Sequence, residues 1–351
     1  MTTAGDLPKF SMIIPARNEE EFIERCIRAC LENEYPADRI EVIVADGFSD
    51  DRTREIVARL AEEDPRVRLL DNPMRISPTG VNIGIRNAKG DVIVFLSGHA
   101  VVSRNYMAEL ARVLREHPDV WRAGGAVETV SLTFTGKVIS AAMSSPVGVG
   151  AGNWRLGTQE GYVPQTCFSA VPRWVFDKVG LYDEELVRNQ DDEFVQRVHE
   201  AGGKEYMTQS VRVQYFSRTN VGKLARQYYQ YGFWRLRTIQ KRKRPAHLRQ
   251  ILPILFVLGW FPLIGLAVCG AIWWWPLALP LAAYAGVYAL GLLGNAFWAA
   301  RRFGWRLALL TPLACATIHF GYGWGGLVGV VHWGLFKGRF VPKPEAHSMS
   351  R

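Results

Sequence analysis

The distribution of charge along the chain is uneven, and it limits the possible folds more than any other feature. The chain has 351 residues and a formal net charge of +9, yet charged residues nearly disappear between Ile251 and Phe336. Its segment 251–300 is apolar for about fifty residues, interrupted by Trp273-Trp-Trp-Pro276. Because a membrane-spanning helix needs about 20 apolar residues, we predict two spans joined by a tight turn.

The path of a third apolar segment, 307–336, is harder to predict. Seven Lys and Arg residues and no acid lie between Arg235 and Arg249, and a second basic group lies at 301–306. The positive-inside rule puts both groups on the cytoplasmic side, which agrees with two spans. The tail after residue 336 is also basic. The third segment therefore either spans the membrane against this rule or forms a re-entrant hairpin.

Charge and cysteine content limit which partners the protein is expected to bind and which cellular compartment it suits. The basic run 235–249 lies just before the apolar region, where cations attract anionic lipid head groups. Nucleic-acid binding is not expected, because no DNA- or RNA-reading motif accompanies this charge. The cysteines show no zinc-binding spacing and suit a reduced compartment. They are Cys26, Cys30, Cys167, Cys269 and Cys315. We expect a multi-pass protein of a bacterial-type inner (plasma) membrane with a cytoplasmic catalytic domain.

Strand and helix patterns alternate in the first part of the chain. The predicted strands are 10–14, 40–45, 67–70 and 91–96, and the predicted helices are 19–31, 51–60, 77–88 and 105–116. This order predicts an α/β fold with a mainly parallel central sheet covered on both faces. Ligands of such sheets bind in the loops that follow the strands. Helices are also predicted at 172–179 and 191–201 and a strand at 211–216, whereas 121–164 gives no clear pattern.

Polar loops follow the first two predicted strands. The first is Ile14-Pro-Ala-Arg-Asn-Glu-Glu20 and the second is Asp46-Gly-Phe-Ser-Asp-Asp-Arg-Thr53. Asp46 could accept a hydrogen bond from a nucleobase N–H. The alternative for either loop alone is a turn followed by a helix cap, because Ser and Asp often precede helices for that reason. Two such loops at neighbouring strand ends favour a ligand site.

The two loops resemble the Pro-x-x-Asn-Glu and Asp-Gly-Ser-x-Asp-x-Thr loops of family 2 glycosyltransferases, which have the GT-A fold. This resemblance covers roughly residues 10–240. It implies that the chain binds a nucleotide-sugar, with the nucleoside held by Pro15, Ala16, Asn18, Glu19 and Asp46.

The fourth strand departs from the family pattern, which implies an Asp-x-Asp that binds a metal ion there. This strand is followed instead by Ser97-Gly98-His99. We expect Ser97 and Gly98 to contact the nucleotide and His99 to ligate a divalent cation, for which imidazole suits Mn²⁺ better than Mg²⁺. Alternatively, His99 donates to phosphate or packs at the strand end. A competing account neutralises the diphosphate with Arg235 or Arg237.

An acidic group opens the helix predicted at 191–201. The family pattern Glu-Asp-x-Asp/Glu-Leu-x-x-Arg implies that Asp191 is the catalytic base and Glu193 a second acid, with Gln190 in place of the usual Glu. A base is needed to accept the proton of the attacking acceptor hydroxyl. Asp192 is adjacent to Asp191, so only one of them can face a site. The alternative is that these acids only stabilise the helix N-terminus.

The aromatic and basic segment that follows is predicted to be an interfacial helix. Its Gln230-Tyr-Gly-Phe-Trp234-Arg235 is similar to the Gln-x-x-Arg-Trp motif of polysaccharide synthases, with Phe233 in place of Arg. We expect Gln230, Trp234 and Arg235 to contact the donor diphosphate or the acceptor. Trp234 could instead belong to an interfacial aromatic belt. Together, these features most resemble the succinoglycan-type exopolysaccharide glycosyltransferases.

These motifs predict a four-part chain and a transfer reaction. The expected parts are a catalytic domain (1–218), an interfacial helix (219–250), a membrane region of two or three spans (251–336) and a tail (337–351). The expected reaction is inverting transfer of a sugar from an NDP-sugar, specifically a UDP-sugar, to a polyprenyl-linked saccharide. The alternatives are a processive polysaccharide synthase and a non-catalytic sugar-nucleotide-binding scaffold. Membrane lipids are further expected partners, and homo-oligomerisation stays open.

Overall fold

The computed structural model describes residues 7–131, 133–149, 159–216, 220–245 and 247–335. These residues form two compact units. The first unit contains residues 7–129 and 159–216, and the second contains the described residues of 130–149 and 220–335. The segment from 130 to 149 thus groups with the C-terminal helices, although it lies inside the predicted catalytic domain. The tail 337–351 lies outside the described residues.

A nine-stranded mixed sheet forms the centre of the first unit. The strands are β1 (Phe10–Ala16), β2 (Ile40–Asp46), β3 (Val67–Asp71), β4 (Val92–Phe95), β5 (Ala100–Val102), β6 (Val120–Val130), β7 (Gly161–Val163), β8 (Ala170–Pro172) and β9 (Lys204–Phe216). Their order is β3-β2-β1-β4-β8-β6-β9-β5, and β7 also pairs with β9.

The helices follow the predicted order closely in the first part of the chain. They are α1 (Ile23–Leu31), α2 (Thr53–Glu63), α3 (Ser77–Asn87), α4 (Tyr106–Glu116), α5 (Phe134–Met143), α6 (Arg173–Val179), α7 (Gln190–Glu200), α8 (Val221–Arg242), α9 (Leu252–Ile272), α10 (Leu279–Phe303), α11 (Trp305–Ala308) and α12 (Thr311–Gly329). Helices α5 and α8 to α12 belong to the second unit.

The first four predicted strands form the parallel half of the sheet. Strand β1 pairs in parallel with β2 and β4, and β2 pairs in parallel with β3. Every residue of β1 and β2 is buried, as expected for parallel strands covered on both faces. Met12 and Ile14 pack with α1, α2 and α4, and Ile13 packs with α3, α6 and α7 on the other face. The predicted α/β fold with two helical layers is confirmed.

The other half of the sheet is antiparallel, and of its strands only the end of β9 was predicted, as a strand at 211–216. Strand β8 pairs in antiparallel with β4 and β6, and β9 pairs in antiparallel with β5 and β7. Strands β5, β7 and β8 have three residues each, too few to show an alternating pattern in the sequence.

The second unit contains three helical segments long and apolar enough to cross a membrane, so this is a membrane protein. They are Leu252–Ile272, Trp275–Phe303 and Trp305–Leu335. Helix α12 of the third segment packs closely against α8 through glycines spaced four residues apart, which let two helix backbones approach. The close contacts are Gly321 with the carbonyl oxygen of Ala225, Gly325 with that of Tyr229 and Gly329 with that of Phe233.

We expect Gly325→Leu to destabilise the second unit, because a Cβ at this position would overlap the carbonyl oxygen of Tyr229. Overpacking of this kind costs about 1–3 kcal/mol. Gly291→Leu is the matched control, because a Cβ there has no neighbour within 4 Å among the described residues. Thermal denaturation in detergent should give a lower Tm for Gly325→Leu and little change for Gly291→Leu. Equal Tm values would contradict the close packing of α8 and α12.

Candidate active site

The loops after β1 and β2 are joined by hydrogen bonds into one surface. The Asn18 N–H donates to Ser49 Oγ (3.0 Å), and the Asp50 N–H donates to Asn18 Oδ1 (2.8 Å). The Glu19 N–H donates to Thr53 Oγ1 (2.7 Å). Helix α1 begins at Ile23 and not at residue 19 as predicted, so Asn18 and Glu19 belong to the loop. Asn18 has a φ of 56°, a conformation that Asn tolerates better than most residues.

Pro15 and Ala16 are the last residues of β1 and lie beside the end of β2. Pro15 pairs with Ala45 and Ala16 with Asp46 in the parallel register. The Gly47 N–H donates to the Ala16 carbonyl (2.8 Å), which continues the pairing into the loop. The two predicted nucleoside-binding loops therefore start at the same level of the sheet.

Asp46 is fully buried at the end of β2 and has several partners. Its carboxylate accepts hydrogen bonds from Ser49 Oγ (2.6 Å) and from Arg54 Nη1 (3.3 Å). Arg54 also forms an ion pair with Asp71 (2.7 Å), and this hydrogen bond raises the pKa of Arg54. A buried carboxylate needs such partners to stay ionised. The network holds Asp46 in one orientation at the edge of the loop.

Phe48 is an exposed aromatic residue next to Asp46 that the sequence analysis did not single out. Its side chain is 40% exposed, and its φ is 55°. The guanidinium carbons of Arg54 and Arg75 lie 6.0 and 5.5 Å from its ring centre. Phe48 stands between Gly47 and Ser49, whereas Ser directly follows Gly in the family pattern. This difference from the pattern is a sequence signal that could have pointed to Phe48. An aromatic ring flanked by arginines suits a flat base or a phosphate.

Ser97, Gly98 and His99 follow β4 and lie beside the loop after β1. His99 Nδ1 is 2.9 Å from Glu19 Oε1, and both side chains are largely buried. A Cβ on Gly98 would lie 3.1 Å from Glu19 Cγ, so a glycine permits this close approach. The carbonyl of Ser97 accepts a weak hydrogen bond from Cys26 Sγ (3.5 Å).

The pairing of His99 with Glu19 has the chemistry of an oriented metal ligand. Metal-binding histidines commonly donate one ring N–H to a carboxylate, which leaves the other nitrogen for the ion. No group of three or more His, Cys, Asp or Glu side chains suited to a metal occurs in the described parts of the chain. The donor set therefore fits a cation held by one imidazole and otherwise by substrate oxygens and water.

A segment that precedes β8 links His99 to the rest of the first unit. The Tyr215 ring lies 4.8 Å from the His99 imidazole, and the Phe168 ring lies 6.1 Å from Tyr215. Because Ala170 pairs with Val94 in antiparallel register, residues just before β8 lie at the carboxyl end of β4. This segment, residues 164–169, is therefore at the same edge of the sheet as the loops described above.

Helix α7 presents its three acids in different environments. Asp191 is exposed, Asp192 is half-buried and Glu193 is buried. Gln165 Nε2 donates to Asp192 Oδ1 (2.8 Å), so the helix N-terminus contacts the segment 164–169. Asp191 thus has the accessibility that a base acting on an acceptor requires.

Glu193, by contrast, is buried and forms an ion pair with Arg197. Its carboxylate accepts from Arg197 Nε and Nη2 at 3.0 and 2.9 Å, and its side chain is only 5% exposed. Arg197 also donates to the carbonyls of Gly180 (3.2 Å) and Leu181 (2.7 Å), just after α6. The pair fixes α7 against the end of α6, which is a physical reason for this acid at the fourth helical position.

A buried ion pair supports the segment that reaches α7. Arg122 Nε lies 3.6 Å from Glu205 Oε2, and both side chains are buried. The Thr166 N–H donates to the same Glu205 oxygen (2.7 Å), and Arg122 Nη2 donates to the Thr166 carbonyl (3.2 Å). This holds Thr166 from two sides and so positions its neighbour Gln165. No sequence motif marked these residues, because they are far apart in the chain.

Gln230, Trp234 and Arg235 lie on α8 in the second unit, and all three are buried. The Trp234 ring packs 5.4 Å from that of Trp333 within this unit. Their roles toward donor or acceptor stay predictions.

Comparisons with known proteins agree with this geometry. The family model "Glycosyl transferase family 2" matches residues 11–167, which include both polar loops and Ser97 to His99. The succinoglycan biosynthesis protein ExoA of Rhizobium meliloti (strain 1021) is 30% identical over 321 residues, covering 90% of this chain and 92% of that protein. The chain belongs to glycosyl transferase family 2. This family 2 protein is a glycosyltransferase, as the motifs predict.

Two further comparisons extend the similarity of this family 2 glycosyltransferase. A dolichyl N-acetyl-alpha-D-glucosaminyl phosphate 3-beta-D-2,3-diacetamido-2,3-dideoxy-beta-D-glucuronosyltransferase of Methanococcus voltae is 24% identical over 268 residues, covering 74% of this chain and 81% of that protein. The solved structure of mannosyltransferase PcManGT from Pyrobaculum calidifontis, in complex with GDP-Man and Mn²⁺, has a TM-score of 0.59 and 19% identity. The match covers 92% of this chain and 89% of the mannosyltransferase chain, which shows a shared fold.

Proposed function

We propose that this glycosyltransferase moves a sugar from a UDP-sugar to a hydroxyl group of a polyprenyl-linked saccharide, with inversion at the anomeric carbon. The observation that carries the proposal is the exposed Asp191 at the start of α7, on a helix joined by Gln165 to the segment beside His99. The names of the two relatives support a role in exopolysaccharide or lipid-linked glycan synthesis.

The donor nucleotide would bind over the loops after β1 and β2. Asp46 would accept a hydrogen bond from the base N–H, and Pro15, Ala16 and Asn18 would contact the nucleoside. Ser97 and Gly98 would contact the nucleotide from the end of β4. The hydrogen bonds between these loops reduce the conformational entropy lost on binding, because their backbone is already ordered.

Asp191 would act as the general base in a single displacement. The acceptor oxygen forms a bond to the anomeric carbon while the bond from that carbon to the diphosphate breaks. The electron pair of the breaking bond leaves with UDP, and the proton of the acceptor hydroxyl passes to Asp191. Asp192, bonded to Gln165, would position the helix N-terminus and the acceptor.

His99 would hold a divalent cation, oriented by its hydrogen bond with Glu19. A bound cation would neutralise the negative charge that develops on the departing diphosphate. The mannosyltransferase PcManGT, whose structure includes Mn²⁺, supports a cation in this fold.

The proposed acceptor is held in the membrane by its lipid, which would explain why the enzyme has a membrane region. A polyprenyl-linked saccharide lies at the inner leaflet of the plasma membrane, so a cytoplasmic catalytic unit must be kept at that surface. The basic residues of α8 and the following segment suit anionic head groups, each contributing about 1 kcal/mol near the surface.

We expect Asp191→Asn to lower kcat by about 10²–10⁴, because loss of a general base has costs of this size. UDP affinity should be unchanged, since Asp191 acts on the acceptor. Asp192→Asn is the matched neighbour and should lose less activity. Release of UDP with lipid-linked acceptors gives the rate, and calorimetry gives UDP affinity. An inactive Asp192→Asn variant beside an active Asp191→Asn variant would assign the base to Asp192.

We also expect activity to require a divalent cation, to be higher with Mn²⁺ than with Mg²⁺, and to fall sharply in His99→Ala. Glu19→Gln should weaken the apparent Mn²⁺ affinity about 10–100-fold through loss of the oriented imidazole. His117→Ala is the control, because that ring stacks on Tyr206 away from the loops. Full activity in excess EDTA, with an inactive Arg235→Ala variant, would show that cationic side chains replace the metal.

A further inference from the structure

Helix α12 is long and apolar enough to span a membrane, but it differs from α9 and α10. In the most apolar stretch of the segment Trp305–Leu335, which contains α12, 44% of the residues are buried inside the protein. The corresponding share is 11% for α9 and 0% for the segment Trp275–Phe303, which contains α10. The elements that cover α12 therefore limit where it can lie in a bilayer.

Helix α8 runs beside α12 in the same direction. Ala225 contacts Gly321, and Phe233, further along α8, contacts Gly329, further along α12. The carbonyl oxygens of Ala225 and Phe233 lie 3.1 and 2.7 Å from a Cβ built on the respective glycine. Residue 320 is the midpoint of both α12 and the whole segment Trp305–Leu335. The start of α8 is therefore next to the middle of α12.

Charged residues on α8 make a spanning position of α12 costly. Lys223 and Arg226 are exposed and flank Ala225, which contacts the middle of α12. If α12 crossed the bilayer symmetrically, both charges would lie near the bilayer centre, where charged side chains are energetically costly. In the interface they would lie among head groups, where basic residues are favourable.

A segment from outside the membrane region covers the first half of α12. Val147 of the turn after α5 accepts a hydrogen bond through its carbonyl from His319 Nε2 (2.7 Å), and Ser145 Oγ lies 3.8 Å from Cys315 Sγ. Both contacts are made by the irregular backbone that follows α5. Irregular backbone of this kind is unfavourable in the hydrocarbon core.

The contacts of α12 with α9 fall in the first half of α9. Gly326 packs on Ile254, and the ring pairs Trp260–Phe320 and Phe261–Trp324 lie 6.0 and 6.3 Å apart. The distance from Leu252 to Phe261 is about 14 Å at 1.5 Å per residue, half of a bilayer core of about 30 Å. These contacts therefore extend through one leaflet, on the side where the basic run precedes α9.

From these three sets of contacts we infer that α12 lies with α8 in the cytoplasmic leaflet of the membrane and does not cross it. The inference rests on the proposed membrane orientation and deepens it. An apolar stripe on α12 would face the acyl chains of that leaflet. It consists of Leu313, Phe320 and Trp324, all exposed and spaced to share one helix face.

This arrangement removes the conflict with the positive-inside rule. With α9 and α10 as the crossing hairpin, the basic groups at 235–249 and 301–306 lie on the same side as the chain after α12. The basic sequence of the tail, with Lys337, Arg339 and Lys343, favours that same side by the positive-inside rule. The saccharide acceptor would meet the enzyme at a surface formed by interfacial helices.

The test is the sidedness of three positions in the full chain. One protein has an epitope tag before Met1, a second has a tag after Arg351, and a third has Trp274→Cys in the turn between α9 and α10. Right-side-out and inverted membrane vesicles are probed with antibody or a membrane-impermeant maleimide, and the parent protein corrects for its own cysteines. We expect both tags on the cytoplasmic face and residue 274 on the other.

Two results would overturn the inference, and they can be told apart. A tag after Arg351 on the face of residue 274 would mean that α12 crosses the bilayer, with the proposed sugar transfer unaffected. Residue 274 on the same face as the tag before Met1 would mean that the α9–α10 hairpin does not cross, which would also remove the proposed membrane orientation.

Discussion

Strand β1 is hydrogen-bonded in parallel between β2 and β4, and the functional part of the first unit depends on this pairing. Parallel strands end at one edge of a sheet, so the loops after all three strands meet there. The loops then bond to each other, through Asn18 with Ser49 and Asp50 and through Glu19 with Thr53 and His99. The buried, apolar β1 thus places residues from three distant parts of the sequence around one candidate ligand site.

The antiparallel half of the sheet completes the site from the other side. Strand β8 pairs with β4 and so brings residues 164–169 to the same edge. The buried Arg122–Glu205 pair holds Thr166, and Gln165 contacts Asp192 on α7. Removing one member of a buried ion pair leaves an uncompensated charge, so the loss of either residue would be costly. The proposed base would therefore be positioned through this network.

Much of this arrangement could be predicted from the sequence, because long parallel strands and their loops have local signals. The two helical layers, the two polar loops, the departure at Ser97 to His99 and the apolar C-terminal segments were all visible in the sequence. The contact between His99 and Glu19 was not, since it joins loops that are 80 positions apart. Strands β5, β7 and β8 were too short to show a pattern. Helix α5 was missed, although it has a local signal at its start, where the Thr133 side chain accepts a hydrogen bond from the Gly136 N–H.

The central claim is a single displacement in which one carboxylate, Asp191, accepts the proton of the acceptor hydroxyl. The most direct test is the configuration of the new glycosidic bond, read by proton NMR from the coupling of the anomeric proton. With a UDP-α-sugar as donor, the account predicts a β-linked product. An α-linked product would mean retention, which a single displacement cannot give, and would contradict the assigned role of Asp191.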